Sequence, residues 1–495
     1  MPRLLHYSDI ENVYDDPDRA SRLAGLLTTL DGSDALVTGT GDNTAPGVLS
    51  LVEHGRQSLD FFRTVEADLE TFGNHDFDYG PDETRDLVAD SPQEWVSANV
   101  RDEDGERFGA AEGVVPWTVR EVAGERVGFV GLTDPATGSL NPEAADLGFD
   151  DPIPAARRAL AQLDEAGVDY RVALSHLGQG DDDLAALDFD AILGGHVHSE
   201  RTEVVDGTLL TRPGQNGHVV LEVELDPDAG DVTDAAAGTD TAVVRRHAVT
   251  DLGDPDADDP RVAGGSPVRT LGDALRGRVT DAGLREPIAE AEEPLDRSQE
   301  TVVGGECRVG NFVADAYRWA ADTDVALQNS GGLRSGPPLA GAVTMADLIS
   351  MLPFEEPIVI AEVSGSELRS ILAEVSGSVV DFGEPDWRHG HVSGLEVVWE
   401  PDGESVRSVT VGGEPLDDER YYTLATPEYL LHSGQEFPTL DEHHRAGESG
   451  IQHEVLADYA REVGVTAEIE GRMRVADTAE PEAPVAEQSG STDGE

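Results

Sequence analysis

The chain has no lysine and a single cysteine, and it contains no long hydrophobic run. Without lysine, the 34 basic residues are all arginine, set against 100 acidic ones, for a formal net charge of -66. A surface of that sign repels phosphate backbones and anionic lipid, which excludes nucleic-acid binding through a basic face. One cysteine, Cys307, excludes an internal disulfide framework and argues against a thiolate metal centre, so a small buried residue is its expected role. No stretch of about 18 apolar residues is present to span a membrane. "MPRLLHYSDI" passes into a strand pattern without an apolar h-region, so no secretory signal is expected and the cytoplasm is the expected location.

What is present is enough for folding. Hydrophobic residues make up 38% of 495 positions and fall in periodic segments, which separates this chain from disordered acidic polymers. That length implies two domains of roughly 200 to 250 residues. Acid-rich, lysine-free composition resembles that of proteins from salt-loving organisms, in which concentrated ions screen the repulsion. Folded structure is therefore expected to be lost between molar salt and dilute buffer. A circular-dichroism signal that stays flat across that range would contradict the halophilic reading.

The first half alternates short apolar runs with helical patterns. "RLLHYS" precedes "DDPDRASRLAGLLTTL", where Asp16 caps a helix and Pro17 occupies its first turn. Further strand candidates are "DALVTG", "LETFG", "EWVSANV", "RVGFVGL", "YRVALS" and "DAILGG", an order that implies a layered α/β domain. After Gly207, "TLLTRP", "HVVLEVEL" and "AVVRRHAV" read as its β-rich completion. The acidic, turn-rich stretch from Thr250 to Asp258 marks a boundary. The expected division is a catalytic domain over 1–250, a linker with a connecting helix over 251–300, and a second αβ domain over 301–476. Residues 477–495 form an acidic tail too poor in apolar side chains to fold.

Polar residues recur just after the strands of the first domain. Asp9 and Glu11 follow "LLHYS", Asp42 follows "ALVTGTG", Asn74 and His75 follow "LETFG", His176 follows "RVALS", and His196 and His198 follow "DAILGG". Singly these pieces mean little, since "GHVH" is an ordinary turn and Asp9 an ordinary cap. In layered α/β folds, however, ligands gather beyond the carboxyl ends of strands, so the five pieces can converge on one pocket. Carboxylates, an amide oxygen and imidazoles suit Mn, Zn, Fe or Mg, and two such metals can hold a phosphoryl group and activate water.

"SDIEN", "GTGDN", "GNHDFDYG", "LSHLG" and "GGHVH" resemble the five metal-site blocks of the calcineurin-like metallophosphoesterases, specifically the two-domain 5'-nucleotidases. The resemblance runs from about Leu4 to Arg474 and implies a four-layer α/β/β/α domain followed by a smaller α+β domain. It implies that Asp9, Asp42 and His198 hold one divalent ion, and that Asp42, Asn74, His176 and His196 hold a second, with Asp42 bridging. His75, oriented by Asp78, would stabilise the phosphoryl oxygen or the leaving group. The family's first block reads Asp-x-His, whereas this chain has Glu11 at the third position. Glu11 either coordinates, giving an oxygen-rich flank that favours Mn²⁺ or Mg²⁺, or carries a stem that misses the metal.

In the second domain, "CRVGNFVADA", "LQNSGGLRS", "VTMADLISMLPFEEPIVIAEVSGSEL" and "ATPEYLLHSGQEF" resemble blocks of the same family. By that match Arg308, Asn329 and Arg334 contact a nucleotide and Phe354 and Tyr429 sandwich its base. Gln435 stands where the family places an acid that accepts ribose hydroxyls, and its amide oxygen still accepts. The activity implied is phosphate release from nucleotides through a dimetal-activated hydroxide. Alternatives are a 2',3'-cyclic nucleotide phosphodiesterase, a nucleotide-sugar pyrophosphohydrolase, or a nucleotide-binding protein whose catalysis has lapsed.

Overall fold

The computed structural model describes residues 1–225, 237–239, 242–249, 266–380 and 384–477. The stretch from Thr250 to Asp258 and the tail beyond Asp477 lie outside them. The chain divides into two units, Met1–Glu286 and Pro287–Glu495.

The first unit is built on two sheets. One has seven strands in the order Ala237–Gly238, Ala242–Ala248, Val219–Leu225, Arg3–Tyr7, Ala35–Gly39, Leu69–Glu70 and Glu94–Trp95. The other has six, ordered Glu200–Val205, Thr208–Pro213, Ala191–Leu193, Tyr170–His176, Glu125–Thr133 and Trp117–Val122. Side chains of both, including Leu4, Leu36, Phe129, Val172, Leu193 and Leu221, form one shared core, so the sheets pack face to face. Helices cover the outside. Pro152–Ala166 buries Ala155, Ala156, Ala159 and Leu163 against the six-stranded sheet. This is the α/β/β/α arrangement. Central strands are covered on both faces, which is why they read as unbroken apolar runs such as "ALVTG".

Strands Arg3–Tyr7, Ala35–Gly39, Leu69–Glu70 and Glu94–Trp95 run parallel. In the second sheet, Glu125–Thr133, Tyr170–His176, Ala191–Leu193 and Thr208–Pro213 also run parallel. Their carboxyl ends therefore face one way within each sheet. The helix Pro17–Leu30 starts as its sequence implies, with the Asp16 carboxylate accepting from the Arg19 amide at 3.1 Å.

Within the expected linker over 251–300, the connecting helix runs over Pro267–Asp281. It belongs to the first unit, where Arg276 pairs with Asp18 and Arg278 with Glu53 and Asp60. The segment Pro287–Arg297 is instead a strand, paired antiparallel with Gly336–Thr344. Its "AEAEE" favours helix locally, but two prolines interrupt that option and the cross-strand partner decides the outcome.

The second unit has a five-stranded sheet ordered Gly390–Ser393, Val325–Asn329, Tyr421–Pro427, Pro357–Ser364 and Arg445–Ile451. Helices Arg308–Ala321 and Gln452–Glu462 share one core with it, through Phe312, Ala316, Ala326, Ala425 and Leu456. Helix Gly365–Glu374 shares another with a small four-stranded sheet, through Leu368, Leu372, Val397 and Trp399. Cys307 is buried, as expected of it.

Candidate metal centre

Strand ends and tight turns assemble the site. Asp9 and Glu11 follow Arg3–Tyr7, Asp42 follows Ala35–Gly39, and Asn74 follows Leu69–Glu70. His176 ends its strand, and His196 and His198 follow Ala191–Leu193. Asp9, Glu11, Asp42 and His196 have φ of 49°, 39°, 53° and 72°, four of the ten non-glycine residues with positive φ among the described residues. Left-handed backbone is costly for such residues and concentrates where function requires it. Two glycines let the turns close. A Cβ on Gly73 would lie 2.2 Å from Asp42 Oδ1, and one on Gly41 would lie 2.4 Å from the Gly73 amide.

Two groups of ligand atoms result, Asp42 with His176 and His196, and Asp9 with Glu11 and His198, each within 4.8 Å of one another. His176 Nδ1 donates to the Thr40 carbonyl at 2.7 Å, which fixes the ring and turns Nε2 towards Asp42 Oδ2, 3.0 Å away. The other Asp42 oxygen accepts the His75 amide at 2.7 Å. His196 packs edge-on against His176, and its amide donates to the Asp9 carboxylate at 3.0 Å. The Glu11 stem reaches the group, for its carboxylate lies 3.0 Å from His198 Nε2.

Electrostatics are those of a crowded buried site. Asp9, Glu11 and Asp42 are 0%, 2% and 1% exposed. Burial and the neighbouring Asp42 push Asp9 up to about 6. Burial opposes charge on Asp42 and His176 alike, yet each holds the other ionised, Asp42 below the carboxylate range and His176 above the imidazole range. Burial and the His176 charge depress His196 to about 3, leaving it neutral as a ligand must be.

Asn74 tests whether a cation fits. Its Oδ1 is buried and has no hydrogen-bond partner. Such an orphan costs about 1 to 3 kcal/mol unless something electropositive faces it. With carboxylates and neutral imidazole at hand, the donor set fits divalent cations of the Mn, Zn, Fe or Mg kind.

Around the ligands, Asp78 accepts His75 Nδ1–H, both oxygens lying 3.1 Å away. Asp76 turns away from the cluster, accepting from the Gly73 and Asp42 amides at 2.8 and 2.9 Å. Three residues escaped the sequence reading. Asn141 Nδ2 donates to the Asn74 carbonyl at 2.7 Å and to Asp78 at 3.0 Å, and nothing in its local sequence marks it. Asp134 lies 3.4 Å from His196 Nε2, and its signal was present, since "GFVGLTD" is another strand followed by an acid. Glu70 is buried beneath the turn, accepting from Tyr7 and Asn43, and burial pushes it up to about 8.

In the second unit, Asn329 Nδ2 donates to Glu436 at 3.1 Å, and the Tyr429 hydroxyl interacts with Ser433 and Glu436. Gln435, expected at the sugar, is exposed and lines an open cavity of about 550 Å³ with Glu374, Val379 and Pro438. Glu436 is the acid folded inward there, raised to about 8 by burial. The Arg334 guanidinium sits 5.7 Å from the centroid of the half-buried Phe354 ring. Arg308 departs from its expected role. It opens a helix and donates to the carbonyls of Ala467 and Pro294 at 2.6 and 3.2 Å, so its donors anchor the chain.

Residues 287–442 match the family described as 5'-nucleotidase, C-terminal domain. The whole chain resembles the crystal structure of a 5'-nucleotidase precursor from Thermus thermophilus, with a TM-score of 0.78, 25% identity and 97% and 100% of the two chains covered. It is 27% identical to an apyrase of Tabanus yao, covering 84% of this chain and 80% of that one. It is 23% identical to the trifunctional nucleotide phosphoesterase protein YfkN of Bacillus subtilis, across 85% of this chain but only 31% of that protein's length.

Proposed function

We propose that this chain, whose residues 287–442 match the 5'-nucleotidase C-terminal domain and which resembles a 5'-nucleotidase precursor along its length, is a metal-dependent phosphohydrolase releasing phosphate from nucleotides. The observation that carries the reading is the pair of ligand groups Asp42–His176–His196 and Asp9–Glu11–His198, together with a buried Asn74 oxygen that has no hydrogen-bond partner. Asp9, Glu11 and His198 would hold one cation, and Asp42, Asn74, His176 and His196 the other, Asp42 serving both. Two bound divalent cations supply Lewis-acid polarisation of the phosphoryl group and a water acidified to a nucleophile.

The chain's own residues do the rest. His75 is tethered by its amide to Asp42 and by Nδ1–H to Asp78, and its imidazolium Nε2–H is assigned the donation to a phosphoryl oxygen or the departing alkoxide. Asn141 holds Asp78 and the Asn74 carbonyl in one frame, so the histidine and the ligand loop keep a common register. Water oxygen joins phosphorus, the ester bond to the nucleoside breaks, and the nucleoside oxygen takes a proton. Recognition of the nucleoside is assigned to Asn329, Arg334, Phe354 and Tyr429, with Glu436 rather than Gln435 as the nearby acid. Ring stacking on a base is worth about 1 to 3 kcal/mol.

Turnover of AMP, 2',3'-cyclic AMP and UDP-glucose with Mn²⁺ tests the proposal. AMP is expected to release phosphate fastest. Preference for the cyclic diester or the sugar nucleotide would overturn the substrate assignment, and nucleotide binding without phosphate release under Mn²⁺, Zn²⁺, Mg²⁺ or Co²⁺ would make this a binding protein. Among the described residues no helix is long and apolar enough to cross a membrane. Work in concentrated salt, and in the cytoplasm, belongs to the same proposal. The charge of -66 supports the first of these.

A further inference from the structure

Two other groups of imidazoles and carboxylates occur among the described residues, both in the second unit. In one, Glu428, His432 and Glu442, the Arg445 guanidinium already donates to both carboxylates and offsets part of their charge. The other lacks such an arginine. Glu367, His443 and His444 offer ligand atoms that all lie within 4.8 Å of one another.

His444 is the observation that separates this group from an ordinary acidic surface. Its side chain is 4% exposed, and its Nε2 is buried without a hydrogen-bond partner, facing Glu367 Oε1 at 3.7 Å. Glu367 spends its other oxygen on capping. Oε2 accepts the Ser364 amide and hydroxyl at 2.7 and 2.6 Å, which fixes the carboxylate at the start of helix Gly365–Glu374 and leaves Oε1 towards His444. The His443 ring lies beside that of His444, centroids 3.9 Å apart, in the only adjacent histidine pair of the sequence.

Asp441 orients both rings. Its carboxylate pairs with His443 Nδ1 and lies 3.4 Å from His444 Nδ1, while its carbonyl and its amide nitrogen each lie 3.3 Å from the latter. In the tautomer whose Nδ1–H is directed at that carbonyl, the one cation binding requires, His444 Nε2 carries a lone pair. Carboxylate or carbonyl support of this kind is what sets a ligating histidine's tautomer. A cation between Nε2 and Oε1 would satisfy a nitrogen and an oxygen that otherwise face each other too far apart to bond.

We propose that Glu367, His443 and His444 form a separate divalent-cation site of the Zn²⁺ class, tying the turn Glu442–His444 to the first turn of helix Gly365–Glu374. Two imidazoles and a carboxylate match the ligand set of a three-ligand zinc site, with water in the fourth position. The strongly acidic surface raises the local concentration of cations. The site does not depend on nucleotide hydrolysis.

The test uses the full chain, stripped with chelator, loaded with Zn²⁺ in high salt and analysed for metal content. The parent is expected to retain about one equivalent more than His443→Asn or Glu367→Gln. Substitution of exposed His443 leaves the core intact, so a folded variant is available if Glu367→Gln weakens the helix cap. Co²⁺ loading should give the parent a visible absorption band of tetrahedral character that both variants lose. Equal metal content and equal Co²⁺ spectra in the parent and both variants would overturn the proposal. Should the chain release no phosphate from any nucleotide, the difference in metal content still decides this site independently.

Discussion

Asp42→Asn is expected to lower kcat/KM for nucleotide hydrolysis by at least about 10³-fold, a loss of about 4 kcal/mol of transition-state stabilisation. Asparagine tolerates the left-handed backbone of this position, with φ of 53°, and its amide oxygen can still accept the His75 amide. What the variant loses is charge. His176 Nε2 would then face a neutral amide, and the Asp42–His176–His196 group would lose its one carboxylate. The fold should survive while metal content falls. Phosphate release from AMP under saturating Mn²⁺, measured beside metal content, checks both halves. Activity within tenfold of the parent would remove Asp42 from the chemistry.

The second large effect concerns His75. His75→Asn should cut kcat by about 10²- to 10³-fold, in keeping with loss of a positioned proton donor. Because His75 is not itself among the ligand groups, metal content should not change. Asp78→Asn should cost less, about tenfold, since Asn141 and the His75 amide still hold the turn while the imidazole tautomer loses its anchor. Its signature is a displaced pH profile of kcat rather than a changed KM. An Asp78→Asn enzyme with the parental profile would show that Asp78 only shapes the turn.

Much of this architecture was legible because parallel strands put their chemistry in a readable place. Asp9, Asp42, Asn74, His176 and His196 each stand directly after an apolar run, so sequence order and spatial convergence coincide. Asp134 follows the same rule, but a lone acid after a strand is also an ordinary cap. Asn141 follows no strand. Its value lies in two hydrogen bonds to residues more than sixty positions away, and no local pattern encodes those. In the second unit Gln435 is exposed while its neighbour Glu436 is buried beside Asn329, since packing rather than local pattern decides which side chain turns inward. Arg308 misled for a related reason. A guanidinium beside a glycine-rich segment can serve a phosphate or its own backbone, and here the carbonyls of Ala467 and Pro294 claim it. The strand Pro287–Arg297 shows the same limit for secondary structure, its helix-forming alanines and glutamates yielding to a partner strand.

The left-handed turns at Asp9, Glu11, Asp42 and His196 bear on how this protein could be improved or spoiled. Glycine at any of the four would relieve the backbone, by about 1 kcal/mol each, because it alone suffers no steric penalty there. The same change would delete a donor atom from the cluster. Selection for thermal robustness alone should therefore drift towards variants that melt later and hydrolyse nothing, and a screen for hardier forms of this protein needs turnover as a second criterion.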